Sequence, residues 1–143
     1  MNGNDSAFSL IKSSVSKVKK LVTEKSVAEQ TILSLMNGIA KELDEKVIFL
    51  KDEITDSDGD LLQRIHVKNK EFGNNEFLFY FYFNKETVFP LMINFQNILT
   101  ARCNDLAELN DYLVELISDE RFMIKIVLLS EMSSPSLDDD IPF

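Results

Sequence analysis

Tryptophan is absent from this chain, and histidine and cysteine occur once each, as His66 and Cys103. A lone cysteine excludes an internal disulfide and fits a reducing, cytoplasmic setting. His66 and Cys103 lie 37 positions apart, which is not metal-ligand spacing, so neither a metal nor a cofactor is expected. Four scattered glycines build no phosphate-binding loop. No apolar run approaches the roughly 20 residues that a membrane helix needs, and the start lacks the apolar core of a signal peptide. Carboxylates are plentiful, but no pair stands apart from ordinary surface charge. These absences together predict a protein that is not an enzyme.

Positive charge is scarce overall. Fifteen Lys and Arg face 24 Asp and Glu, a formal net charge of −9, which excludes a nucleic-acid footprint spread over the whole surface. The first 25 residues reverse the balance: Lys12, Lys17, Lys19, Lys20 and Lys25 against Asp5 and Glu24 give +3. Such a segment can hold a polyanion locally, weakly and with strong salt dependence.

The 143 residues suit one α+β domain, residues 1–130, followed by a flexible acidic tail, residues 131–143. Phe8, Ile11, Val15, Val18 and Val22 recur at three- and four-residue steps, the narrow seam of a two-helix contact, and predict a homodimer through the first helix. Ser26 with Glu29 reads as a capping box that opens a second helix, with Ile32, Leu35, Met36, Ile39 and Leu43 as its core stripe. Gly38 in that helix suggests close packing. Whether these are two helices or one rod stays open. Four strands then form an antiparallel meander: Val47–Leu50, Leu61–Lys68, Phe77–Phe83 and Val88–Phe95. Pro90 would sit best at an edge or a bulge. Asn104 or Asp105 caps a helix running to about Ile117. Residues 122–129 fit either a strand or a helix, with the Ser118-Asp119-Glu120 start favouring helix.

Strand alternation places Phe77, Phe79, Phe81 and Phe83 on one face, read as core, and Leu78, Tyr80 and Tyr82 on the other. Arg64, His66 and Lys68 share a face of the neighbouring strand. If the register aligns them with Tyr80 and Tyr82, cations and aromatic rings would meet on the open side. That pairing neutralises phosphates and stacks bases in single-strand binders. The plainer reading, a half-exposed sheet with ordinary polar alternation, is favoured. The Asp56–Asp60 stretch reads as a hairpin turn. Setting Gly59 at the glycine of a calcium loop puts Ile54 and Ile65 at its first and last ligand positions, where carboxylates belong.

The last six residues, Asp138, Asp139, Asp140, Ile141, Pro142 and Phe143, place an acidic run before an apolar pair and a terminal aromatic residue. Phe143 can fill an apolar pocket while its carboxylate meets an Arg or Lys, and the aspartates can lie along a basic ridge. This tip resembles, letter for letter, that of bacterial single-stranded DNA-binding proteins (SSBs). The resemblance implies docking on replication, recombination and repair enzymes, with single-stranded DNA as a further ligand. It stops at the tip. That family begins with a five-stranded oligonucleotide-binding barrel and carries a long Gly/Gln/Pro-rich linker. Here helices come first, the strands run uninterrupted, and the barrel's stacking residues have no counterpart.

Three readings follow. The first is an unusual single-strand binder that recruits enzymes through its tip. The second is an adaptor or competitor that occupies the same docking pockets without touching DNA. The third is a small acidic chaperone- or immunity-type domain with an incidental tail.

Overall fold

The computed structural model describes residues 3–133, with side chains from Ser6 onward. Helix α1 spans Gly3–Glu42, followed by strands β1 (Val47–Thr55), β2 (Leu61–Asn69), β3 (Glu76–Tyr82), β4 (Leu91–Phe95) and β5 (Leu99–Cys103). Helices α2 (Leu106–Ser118) and α3 (Glu120–Ser130) complete the order. The chain is α+β, as its alternation of patterns predicts, with a sheet ordered β1-β2-β3-β4-β5 and antiparallel throughout.

Three expectations need correction. The Ser26–Glu29 pair does not open a second helix, because the helix is continuous over 40 residues. No Pro or Gly interrupts residues 4–37, and Thr23 and Thr31 donate back to the carbonyls of Lys19 and Val27, one turn earlier. A capping motif inside a run of helix formers has no orphan N–H group to satisfy. The sheet has five strands rather than four. The additional β5 follows a tight turn in which Gln96 and Asn97 adopt φ of 48° and 61°, so a hairpin forms without glycine. Strand β1 is also longer than its apolar start, because Lys51, Asp52 and Glu53 pair with Ile65, Arg64 and Gln63 along an exposed edge. Pro90 lies just before β4, outside the ladder, where its missing N–H costs nothing.

The helices cover one face of the sheet. Ile65, Val67, Phe79, Phe81, Ile93 and Phe95 from the strands meet Ile32 and Met36 of α1, Leu109 and Leu116 of α2, and Phe122 and Ile126 of α3. Phe122 is the central contact, with ring centroids 5.3 Å from Phe95 and 6.2 Å from Phe79. Asp105 caps α2, accepting from the Glu108 N–H at 2.8 Å. Residues 122–129 are helical: Asp119 caps α3, and Ile126 and Leu129 turn inward.

Two features set the ends of the molecule. Only the second half of α1 is packed: Ala28, Ile32, Met36 and Ile39 are buried, whereas Phe8, Ile11, Val15, Val18 and Val22 are 47–70% exposed. The first half therefore projects past the β1–β2 and β3–β4 turns. At the opposite end Asn69 is buried and fully engaged. Its side-chain amide donates to the carbonyls of Leu129 (2.8 Å) and Met132 (3.2 Å), and its oxygen accepts from the N–H groups of Glu71 and Phe72. That clamp fixes the end of α3 to the sheet.

Candidate functional surfaces

Sequence reasoning singles out three surfaces, and the structure locates two. The tip, Asp138–Phe143, lies outside the described residues.

The open face of the sheet brings the expected residues together and neutralises Arg64. Arg64 pairs in register with Tyr80, and Tyr80 in turn with Asn94. Arg64 is also opposite Asp52, and its guanidinium donates two bonds of 2.7 Å to that carboxylate. This fork-to-fork pairing occupies the groups that would hold a phosphate. His66 Nε2 approaches the same carboxylate at 3.2 Å but is too poorly aligned to hydrogen-bond, and it has no other partner among the described residues. Arg64, foremost, and His66 hold the Asp52 carboxyl below its ordinary value. Lys68 sits opposite Ile48, and Tyr82 lies beside Met92. Burial, then the negative charge of Asp60, pushes the Tyr82 phenol up.

The face also carries an aromatic ring that alternation assigns to the core. The β2–β3 ladder slips between Ile65 and His66: Ile65 pairs with Phe79 but His66 with Phe77. Leu78 is the extra residue, and it is fully buried. Phe77 turns to the open face and meets His66 edge-on at 5.8 Å. Such a bulge reverses the alternation on one side of itself. Phe83 meets the core reading in part, packing against the core from its rim. It lies beyond β3, half-buried, edge-on to Phe81 and beneath Lys25 Nζ at 5.5 Å from its ring centre.

The lysines of α1 contrast with Arg64. Lys12, Lys17, Lys19 and Lys20 are exposed on the projecting half-helix, and none forms an ion pair with a described residue. At the base of this half-helix, a groove of about 430 Å³ opens between Leu21, Val22 and Lys25 of α1 and Phe83, Lys85 and Val88 after β3.

The remaining candidates are structural. Carboxylate oxygens of Asp56, Asp58 and Asp60 lie within 4.8 Å of one another. Asp56 Oδ1 already accepts from the N–H groups of Asp58 and Asp60 at 3.0 and 2.9 Å, which is the bonding of a hairpin turn. Burial first, then Glu108 and Asp105, pushes the Cys103 thiol up to about 11, away from a reactive thiolate. Tyr112 is buried and donates to the Leu99 carbonyl at 2.9 Å.

Among the described residues, no helix is long and apolar enough to cross a membrane. Comparison with known proteins returned no matching family model, curated protein or solved structure.

Proposed function

We propose that the chain is a non-enzymatic, cytoplasmic protein of DNA metabolism that docks on replication, recombination and repair enzymes through Asp138–Phe143. Its contact with single-stranded DNA runs through Lys12, Lys17, Lys19 and Lys20 of α1. The observation that carries the reading is the tip itself, in which Ile141-Pro142-Phe143 follows three aspartates. The α1 lysines, unpaired among the described residues, support the nucleic-acid half. Uncommitted cations release counterions from phosphates, whereas the Asp52-bound Arg64 does not. A short peptide that must be ordered on binding is expected to dock with micromolar affinity, on the order of −8 kcal/mol.

The Arg64–Asp52 pairing and the net charge of −9 favour a second reading, in which the protein occupies the docking pockets without holding DNA. Two measurements decide. Fluorescence anisotropy with a labelled oligo-dT is expected to show binding at low salt that weakens steeply as salt rises. No binding at low salt leaves the adaptor reading. Pull-downs compare the intact chain with a Phe143 deletion, and the deletion is expected to lose the genome-maintenance partners. Equal partner sets for the two forms would reject docking through the tip.

A further inference from the structure

The stripe on the projecting half of α1 keeps the spacing of the seam by which the same helix packs on its own sheet but lies on a neighbouring face. The packed face runs back through Ala28 and half-buried Leu21, while Val22 is exposed. Phe8, Ile11, Val15, Val18 and Val22 step onward through Lys25 and Glu29 to Ile32, Met36 and Ile39 without a break in the three-four spacing. A straight helix drifts about 20° per heptad against that spacing, so over the three heptads from Val15 to Met36 the stripe turns about 60° away from the buried face and is left without a partner. One half is buried and the other is bare. Five large apolar side chains in one line exceed the scattered exposure of ordinary monomers, and a half-helix bare on every side lacks the tertiary packing that stabilises most helices.

We infer that this seam closes against a second copy of the chain, with the two projecting half-helices antiparallel. In antiparallel pairs, each residue of one seam position meets the other position of the partner. The register centred between Val15 and Val18 sets Val15 against Val18, Ile11 against Val22, and Phe8 against Lys25. It is preferred because it carries Phe8 to an open groove with an apolar side. In the preferred register Phe8 arrives at the base of the partner's half-helix. There Lys25 lies over Phe83, and Val22 and Val88 line the apolar side of the groove of about 430 Å³. The ring fills a space that the chain's own described residues leave open.

One flank suits this arrangement: Ala7, Ser14 and Leu21 are small or apolar and allow close approach. On the other, Lys12 and Lys19 of two copies bring four like charges to one edge, whose repulsion salt screens, so the dimer should tighten as ionic strength rises. Closing both stripes removes an area on the order of 1,000 Å², about what a specific interface requires. The pairing is independent of tip docking, since none of its residues belongs to the tip.

Sedimentation equilibrium of the full chain is expected to show a dimer that dissociates on dilution, and Val15→Lys to be monomeric. Val15 is 47% exposed, so the far-ultraviolet circular dichroism and thermal transition of Val15→Lys should remain those of a folded domain at matched dilution. Direction is read with two single variants, Ile11→Cys and Val22→Cys, oxidised separately and mixed. Cys103 is 1% exposed and should not contribute. The mixture is expected to give an 11–22 disulfide between copies, with little cross-linking in either variant alone. A monomer at all concentrations overturns the inference. So does cross-linking of each variant mainly to itself, which marks parallel pairing.

Discussion

Arg64 and the lysines of α1 carry the same charge, yet their surroundings separate them. Arg64 is committed to Asp52 through two bonds of 2.7 Å, and the bulge at Leu78 brings Phe77, rather than another tyrosine, beside His66. Arg64→Ala is therefore expected to leave oligo-dT affinity nearly unchanged. Replacing Lys17, Lys19 and Lys20 by Ala should weaken binding and flatten the plot of log affinity against log salt by about 0.7 for each phosphate released. A larger loss from Arg64→Ala than from the triple variant would move the nucleic-acid surface to the sheet. The face of each cation is legible in the sequence, because alternation assigns Arg64, His66 and Lys68 to one side. Their pairing is not, because it depends on which β1 residue lies opposite, and the apolar start of β1 stops short of Asp52. Alternation misplaces Phe77 and Leu78 for a related reason: a bulge leaves no mark in a run as uniformly β-prone as Glu76–Tyr82.

At the scale of elements, the 3.6-residue period is a good guide to which helix faces are buried and a poor guide to where helices stop. Ile32, Met36 and Ile39 are legible as core, Asp105 as one of two candidate caps, and a helix start at Ser118-Asp119-Glu120 as the favoured alternative, because each signal is local. The Ser26–Glu29 signal fails because a capping box stabilises a helix start without requiring one. Strand β5 is hard to see because it is only five residues long, Ala101 and Arg102 are weak strand formers, and its turn uses Gln96-Asn97 where glycine is usual. Gly38 offers a test at this scale. A Cβ added there would meet nothing within 4 Å, so the glycine does not mark close packing. Gly38→Ala should stabilise the domain by about 1 kcal/mol, raising its melting temperature by a few degrees. An unchanged or lowered melting temperature would show that the helix needs flexibility at that turn.

For the molecule as a whole, stability should fall on the acid side. Asp119 is held down to about 2, first by its hydrogen bond from Arg121 and then by the backbone N–H groups that it caps. Asp52 is lowered by Arg64 and His66. A carboxylate whose folded value lies below its unfolded value near 3.8–3.9 stabilises the fold above that range. It loses that contribution as pH falls toward 2. Urea midpoints should accordingly be flat from pH 7 to about 5 and drop between pH 4 and 2, with a shallower drop in Asp119→Asn. An equal drop in that variant would assign the acid sensitivity to other groups.

Asn69 bears on how the domain would work with any enzyme that takes the tip. By clamping the carbonyls of Leu129 and Met132, it sets a fixed origin for the segment that follows. The steps along the chain from Ser133 to Phe143 reach at most about 36 Å when fully stretched. If the tip docks as proposed, the domain would be held within that reach, counted from Asn69, and its local concentration at an enzyme's surface would be set by it. Loosening the clamp would lengthen the reach from its fixed end and dilute the domain where it is delivered, even with every letter of the tip intact.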